Sequence, residues 1–121
     1  MPVAPVRRGH SFAGSSVPTK HRVEITKTAE SDIQEIWNYI SADSPPDAAE
    51  FVAHLEDTIG TLERFPLRCT AIPENALLGT DYRHLVLDPY RIVFRVAGRT
   101  IYVLRVVHGG RLLDSSLFIT E

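Results

Sequence analysis

Three runs of alternating polar and apolar residues, near 82–87, 91–96 and 100–107, are joined by connections too short to hold a crossover helix. Asp88-Pro89 marks the first turn and Ala97-Gly98-Arg99 the second, residue types that set turn geometry. Strands joined this tightly pair antiparallel, so the segment is predicted to be a three-stranded meander. In its middle run Ile92, Phe94 and Val96 share one face, and Arg91, Val93 and Arg95 share the other. In the last run Tyr102, Leu104 and Val106 alternate with Ile101, Val103, Arg105 and Val107. One face is expected to pack on helices while the other exposes arginines.

The helices lie upstream. Arg22-Val23-Glu24-Ile25-Thr26 alternates like a half-buried strand. Thr28 is read as a helix N-cap, with Glu30 and Asp32 near the positive end of the dipole. Ala29, Ile33, Ile36, Trp37 and Ile40 then recur at helical spacing. Ser44-Pro45 restarts the chain with a cap and a proline at the first helical position. A second stripe of Ala48, Phe51, Val52, Leu55, Ile59 and Leu62 runs to a stop at Pro66. Trp37 and Phe51 sit on these stripes and are predicted core residues. Residues 66–81, with Pro66, Pro73 and Gly79, read as a loop. The order β-α-α-β-β-β defines an α+β domain, a helical hairpin packed on a small, mainly antiparallel sheet. Residues 1–20 are rich in Pro, Gly and Ser without a hydrophobic period, so they are expected to be a flexible leader before a single domain over 21–118.

Charge is segregated along the chain. Residues 28–65 hold nine acids and one base, Arg64. Residues 82–111 hold six arginines (Arg83, Arg91, Arg95, Arg99, Arg105 and Arg111) and one acid, Asp88. The formal net charge of -2 hides this asymmetry and gives no reason to expect bulk affinity for nucleic acid. The acidic helix face reads first as a solvated surface.

Several classes are excluded or disfavoured. One cysteine, Cys69, permits no intrachain disulfide and fits a reducing cytoplasm. No apolar run approaches the ~20 residues of a membrane span. Arg7-Arg8 is not followed by the apolar stretch of a secretion signal. His10, His21, His54 and His84 lack paired metal-ligand spacing, so no metal is expected. Phosphate-loop, dinucleotide and Ser-His-Asp signatures are missing, so no cofactor is expected. Gly109-Gly110 reads as a turn, too short to be a phosphate loop.

The words YRHLVLDPYRIVFRV and IYVLRVVHGGR, with the helix PPDAAEFVAHLEDTIGTLERFP, resemble the RelE/ParE toxin superfamily and most closely its ParE, or plasmid-stabilisation, branch. The resemblance covers roughly 22–113. It implies a bacterial toxin neutralised by an antitoxin encoded beside it, in a hetero-oligomer with that antitoxin. RelE-like members cut mRNA in the ribosomal A site; ParE-like members bind and poison DNA gyrase.

Metal-free RNA cleavage requires a base for the ribose hydroxyl, cations for the phosphate and an acid for the leaving oxygen. Under the resemblance Arg91 and Arg111 match the RelE phosphate clamps. Arg83 falls where such proteins often carry a base. The lysine expected two residues later is Leu85, and the late tyrosine falls near Leu117, with Phe118 beside it. Cations are kept and proton-transfer groups lost, although His108 remains a candidate base. A gyrase-binding toxin without bond-making chemistry is therefore the preferred expectation. A ribosome-dependent endoribonuclease using Arg91, His108 and Arg111 is one alternative, and an inactive antitoxin-binding remnant is another. Arg83, Arg91, Arg95, Arg105, His108 and Arg111 are the candidates for binding antitoxin or target. Among them Arg83 and Arg95, with Arg99, also read as simple solvated residues. Arg91 and Arg105 also read as anchors of internal ion pairs to helix acids. His108 also reads as a strand-end residue bonded to backbone.

Overall fold

The computed structural model describes residues 20–111 and 113. Most of the predicted leader, His10, Leu117 and Phe118 lie outside the described residues. The chain runs β1 (Arg22–Ile25), α1 (Lys27–Ser41), α2 (Pro45–Gly60), 3-10 turns at Thr61–Glu63 and Pro66–Arg68, β2 (Thr70–Ala71), α3 (Asn75–Leu78), β3 (Arg83–Leu87), β4 (Tyr90–Ala97) and β5 (Thr100–His108). The fold is α+β, with the predicted helical hairpin and meander. The sheet is mixed and five-stranded, in the order β1-β5-β4-β3-β2. Among the described residues only β1 is parallel to its neighbour, β5; the crossover between them is the whole intervening chain.

The caps follow local chemistry, with one correction. α1 is capped by Thr26, not Thr28: the Thr26 hydroxyl accepts from Ala29 N at 3.2 Å and donates to Val103 O at 2.9 Å. The Thr26 hydroxyl thus ties the helix start to the neighbouring strand as well as capping it. Ser44 caps α2 as expected, accepting from Asp47 N, with Pro45 at its start. α2 ends at Gly60 rather than at Pro66; the chain tightens through a 3-10 turn that still buries Leu62. The segment read as a loop contains β2 and α3. Both are too short to carry a period, and β2 exists only because β3 offers it an edge. Gly98, at φ +63, supplies the left-handed residue of the two-residue β4–β5 turn.

The main core lies between the hairpin and the sheet. Ile33, Leu55, Ile59, Ile92, Phe94, Ile101 and Val103 are all fully buried there. Trp37 and Phe51 are half-buried at its margin rather than central. The predicted division into a packed face and an arginine face does not hold. A bulge at Val93/Phe94 pairs Val93 with Arg105 and Phe94 with Val103, which shifts the alternation along β5. Val106 then joins Ile101 and Val103 in the main core, while Val93 and Val107 pack with Ile72 and Leu113 in a second, smaller one. Both faces of the central strands are thus covered, and Arg91 is buried.

Leu55→Ala should cost about 2–5 kcal/mol in urea unfolding, as for other fully enclosed leucines. Leu77→Ala, at a site 89% exposed, should change stability by less than ~0.5 kcal/mol.

Candidate functional site

Arg91 leaves β4 on the face opposite the hairpin and enters a polar cluster. Its two terminal nitrogens donate to Glu74 at 3.3 and 2.6 Å, a bidentate pair buried at both ends. The same nitrogens also reach His84 Nδ1 at 3.2 Å and the Arg111 carbonyl at 3.0 Å. Glu74 is delivered by the loop before α3. Asn75 braces that loop, donating to Tyr82 O and accepting from Tyr82 N and the Thr80 hydroxyl.

The charges settle accordingly. Hydrogen bonding from Arg91 holds the Glu74 carboxyl below the usual glutamate range, against the opposing effect of burial. Burial first, and then the Arg91 charge, lowers the His84 pKa and favours its neutral ring. A neutral ring accepting at Nδ1 carries its proton on Nε2.

Above this cluster opens a groove of about 550 Å³. His84, Val86, Tyr90, Arg91, His108 and Arg111 line it, with the 109–110 turn at its rim. His108 is exposed; its Nδ1 accepts from Gly110 N at 3.3 Å and its ring meets Tyr90 edge-on at 5.8 Å. Gly109 N donates to Pro89 O at 2.7 Å, and a Cβ at Gly109 would stand 3.3 Å from that oxygen, so the turn sits tight against the β3–β4 connection. A second crevice of about 210 Å³ lies on the other side of Tyr90 and His108, between α1 and β5, and Arg105 and Arg111 reach it.

The structure therefore brings Arg91, His108 and Arg111 to one groove and leaves the other candidates elsewhere. Arg105 pairs with Asp32 of α1 at 2.8 Å, and Asp32 also accepts from Val106 N at 2.8 Å. That carboxylate raises the Arg105 pKa further. Arg83 donates to Cys69 O at 2.6 Å and Leu67 O at 3.4 Å. Arg95 is exposed and lies over the Tyr102 ring at 4.5 Å. Arg99 is exposed and reaches Lys20 O at 3.5 Å. Glu74 and His84 escaped sequence reasoning. Alternation could have placed His84, because β3 pairs His84 with Val93 and Val86 with Arg91. Glu74 gave no signal, since it lies in a segment without a period.

Chemically, the groove offers exposed cationic and imidazole groups at its rim, over a guanidinium already neutralised beneath. Such a surface can hold an anion. Among the described residues, no three His, Cys, Asp or Glu side chains are grouped to hold a metal ion. No helix there is long and apolar enough to cross a membrane.

Residues 23–113 match the model of a family described as the ParE toxin of type II toxin–antitoxin systems, parDE. Two solved structures share the fold. The chromosomal ParDE system of P. aeruginosa aligns at 22% identity and TM-score 0.60, over 74% of this chain and 97% of that one. The RelBE2 toxin–antitoxin complex of Mycobacterium tuberculosis aligns at 24% identity and TM-score 0.53, over 75% and 93%. Among curated protein sequences none matches.

Arg91→Ala should destabilise the domain by about 3–5 kcal/mol, because it leaves a buried carboxylate without its partner. Acidification should act in two stages, since both lowered pKa values mean that the unfolded chain binds protons first. Stability should fall as the pH drops from the ordinary histidine value near 6.5, and again below the glutamate value near 4.5. Urea midpoints across that range should lose the first stage in His84→Gln and the second in Glu74→Gln.

Proposed function

The chain belongs to the ParE toxin family of type II toxin–antitoxin systems, and on that footing we propose that it inhibits DNA gyrase by contact and is neutralised by a cognate antitoxin encoded beside it. The observation that favours contact over RNA cleavage is the state of Arg91. A phosphate clamp needs a guanidinium free to meet the phosphate, and this one is committed to Glu74, His84 and the Arg111 carbonyl. The remaining RelE-like candidates, His108 and Arg111, supply one base and one cation, and no second cation lines the groove beside them with a free guanidinium or ammonium group among the described residues. The protein would thus act as a surface.

The antitoxin has two features to exploit. Beyond the two residue pairs that join β2 to β3, Leu85–Leu87 has no outer strand partner among the described residues, and Val86 is 57% exposed. An extended antitoxin segment would add there as a strand. Its carboxylates would meet His108 and Arg111 across the groove, giving salt-sensitive association.

Purified protein at stoichiometric amounts should inhibit gyrase supercoiling or trap cleaved DNA, and the double variant His108→Ala, Arg111→Ala should still do so. Uninhibited supercoiling, together with ribosome-bound mRNA cut at defined codon positions and loss of that cutting in the double variant, would establish the endoribonuclease instead. Growth unaffected by expression without antitoxin would leave an inactive antitoxin-binding protein.

A further inference from the structure

The turn that follows α2 holds two large apolar side chains out of the core by construction. Leu62, Pro66 and Cys69 point inward and are buried, whereas Phe65 and Leu67 between them are 69% and 62% exposed. Phe65 stands at φ 49, ψ 52, a left-handed conformation that bulky side chains rarely adopt. Such a conformation persists only where its surroundings over-determine it. Here two arginines do so. Arg68 donates to Arg64 O at 2.8 Å, to Phe65 O at 3.2 Å and to the Thr61 hydroxyl at 3.2 Å. Arg83 holds Leu67 O and Cys69 O from the other side.

These arginines are occupied geometrically but not electrically. Their partners are neutral carbonyl and hydroxyl oxygens, and Arg64, Arg68 and Arg83 enter no salt bridge among the described residues. Arg64 and Arg68 are exposed beside Phe65. The nearest acid in sequence, Glu63, faces Lys20 at 3.7 Å. The result is a rigid apolar tip with uncompensated positive charge around it, at the end of an otherwise acidic hairpin.

We propose that the Phe65–Leu67 tip is a docking point for an acidic amphipathic segment of the antitoxin, with apolar side chains seated on Phe65 and Leu67 and carboxylates facing Arg64, Arg68 and Arg83. Charge complementarity selects this occupant: a purely apolar partner would leave three guanidinium charges desolvated, and a basic one would be repelled. The tip requires no induced fit, because the arginine braces fix its geometry in advance. Leu67 and the Arg83 brace also connect it to β3, whose outer edge was assigned above to the extended part of the same partner. The inference rests on the toxin–antitoxin reading for its partner and adds a second, separate contact to it.

The test uses the full chain and the antitoxin encoded beside it. The double variant Phe65→Gly, Leu67→Ser removes the apolar tip and gives the left-handed position the residue that suits it. It should weaken binding at least ~tenfold, as loss of an aromatic anchor does, with Tm unchanged or raised. Arg64→Glu should weaken binding further and flatten its salt dependence. Unchanged affinity in the double variant would overturn the docking point while leaving the antitoxin reading intact. A lowered Tm would overturn it too, by showing that the side chains support the fold. A change in sedimentation of the isolated chain would assign the tip to self-association. Failure of the unaltered chain to bind the neighbouring product would sink the partner reading itself.

Discussion

A guanidinium buried under a β-sheet has to be neutralised where it stands, and the lower half of this domain is arranged to neutralise Arg91. Glu74 meets it bidentately, His84 offers a ring nitrogen, and the carbonyl of Arg111 closes the set. These partners come from the loop before α3, from β3 and from the segment after β5. One side chain on a central strand therefore fixes the position of three others. Removal of either charge would leave the other stranded in low dielectric, which is why such pairs are costly to break even where they add little net stability. The Arg105–Asp32 pair does the corresponding work on the hairpin side, joining α1 to β5 just past the bulge.

This constraint also governs what the groove can do. A cation tied to a carboxylate is a poor ligand for a phosphate, and burial, with the Arg91 guanidinium beside it, lowers the pKa of the His84 ring. What remains at the surface is a rim of His108 and Arg111, an open strand edge and a braced apolar tip. The chain belongs to the ParE toxin family, and its fold is shared by the ParDE and RelBE2 structures.

Much of the architecture was legible because it is written in local periods. The stripes of α1 and α2, the Ser44-Pro45 start and the turns at Asp88-Pro89 and Gly98 each lie within a few residues of the structure they specify. The failures share a cause. Thr26 rather than Thr28 is the cap, and its hydroxyl also reaches Val103 and Leu104, 77 and 78 residues away in sequence. β2 and α3 are too short to show a period. The bulge at Val93/Phe94 shifts an alternation that looked unbroken in β5.

The sequence by itself determined the order of the larger elements, the antiparallel meander, the two helix stripes and a concentration of arginine in the last third of the chain. Tertiary structure alone decided which of those arginines are available. Arg91 and Arg105 are matched to acids 17 and 73 residues away, whereas Arg95, Arg99 and Arg111 remain exposed. The physical reason is that periodicity encodes which face a side chain takes, while the partner waiting on that face is supplied by a distant segment. Charge segregation along the chain announces that pairing will occur; only the packed chain fixes the pairs.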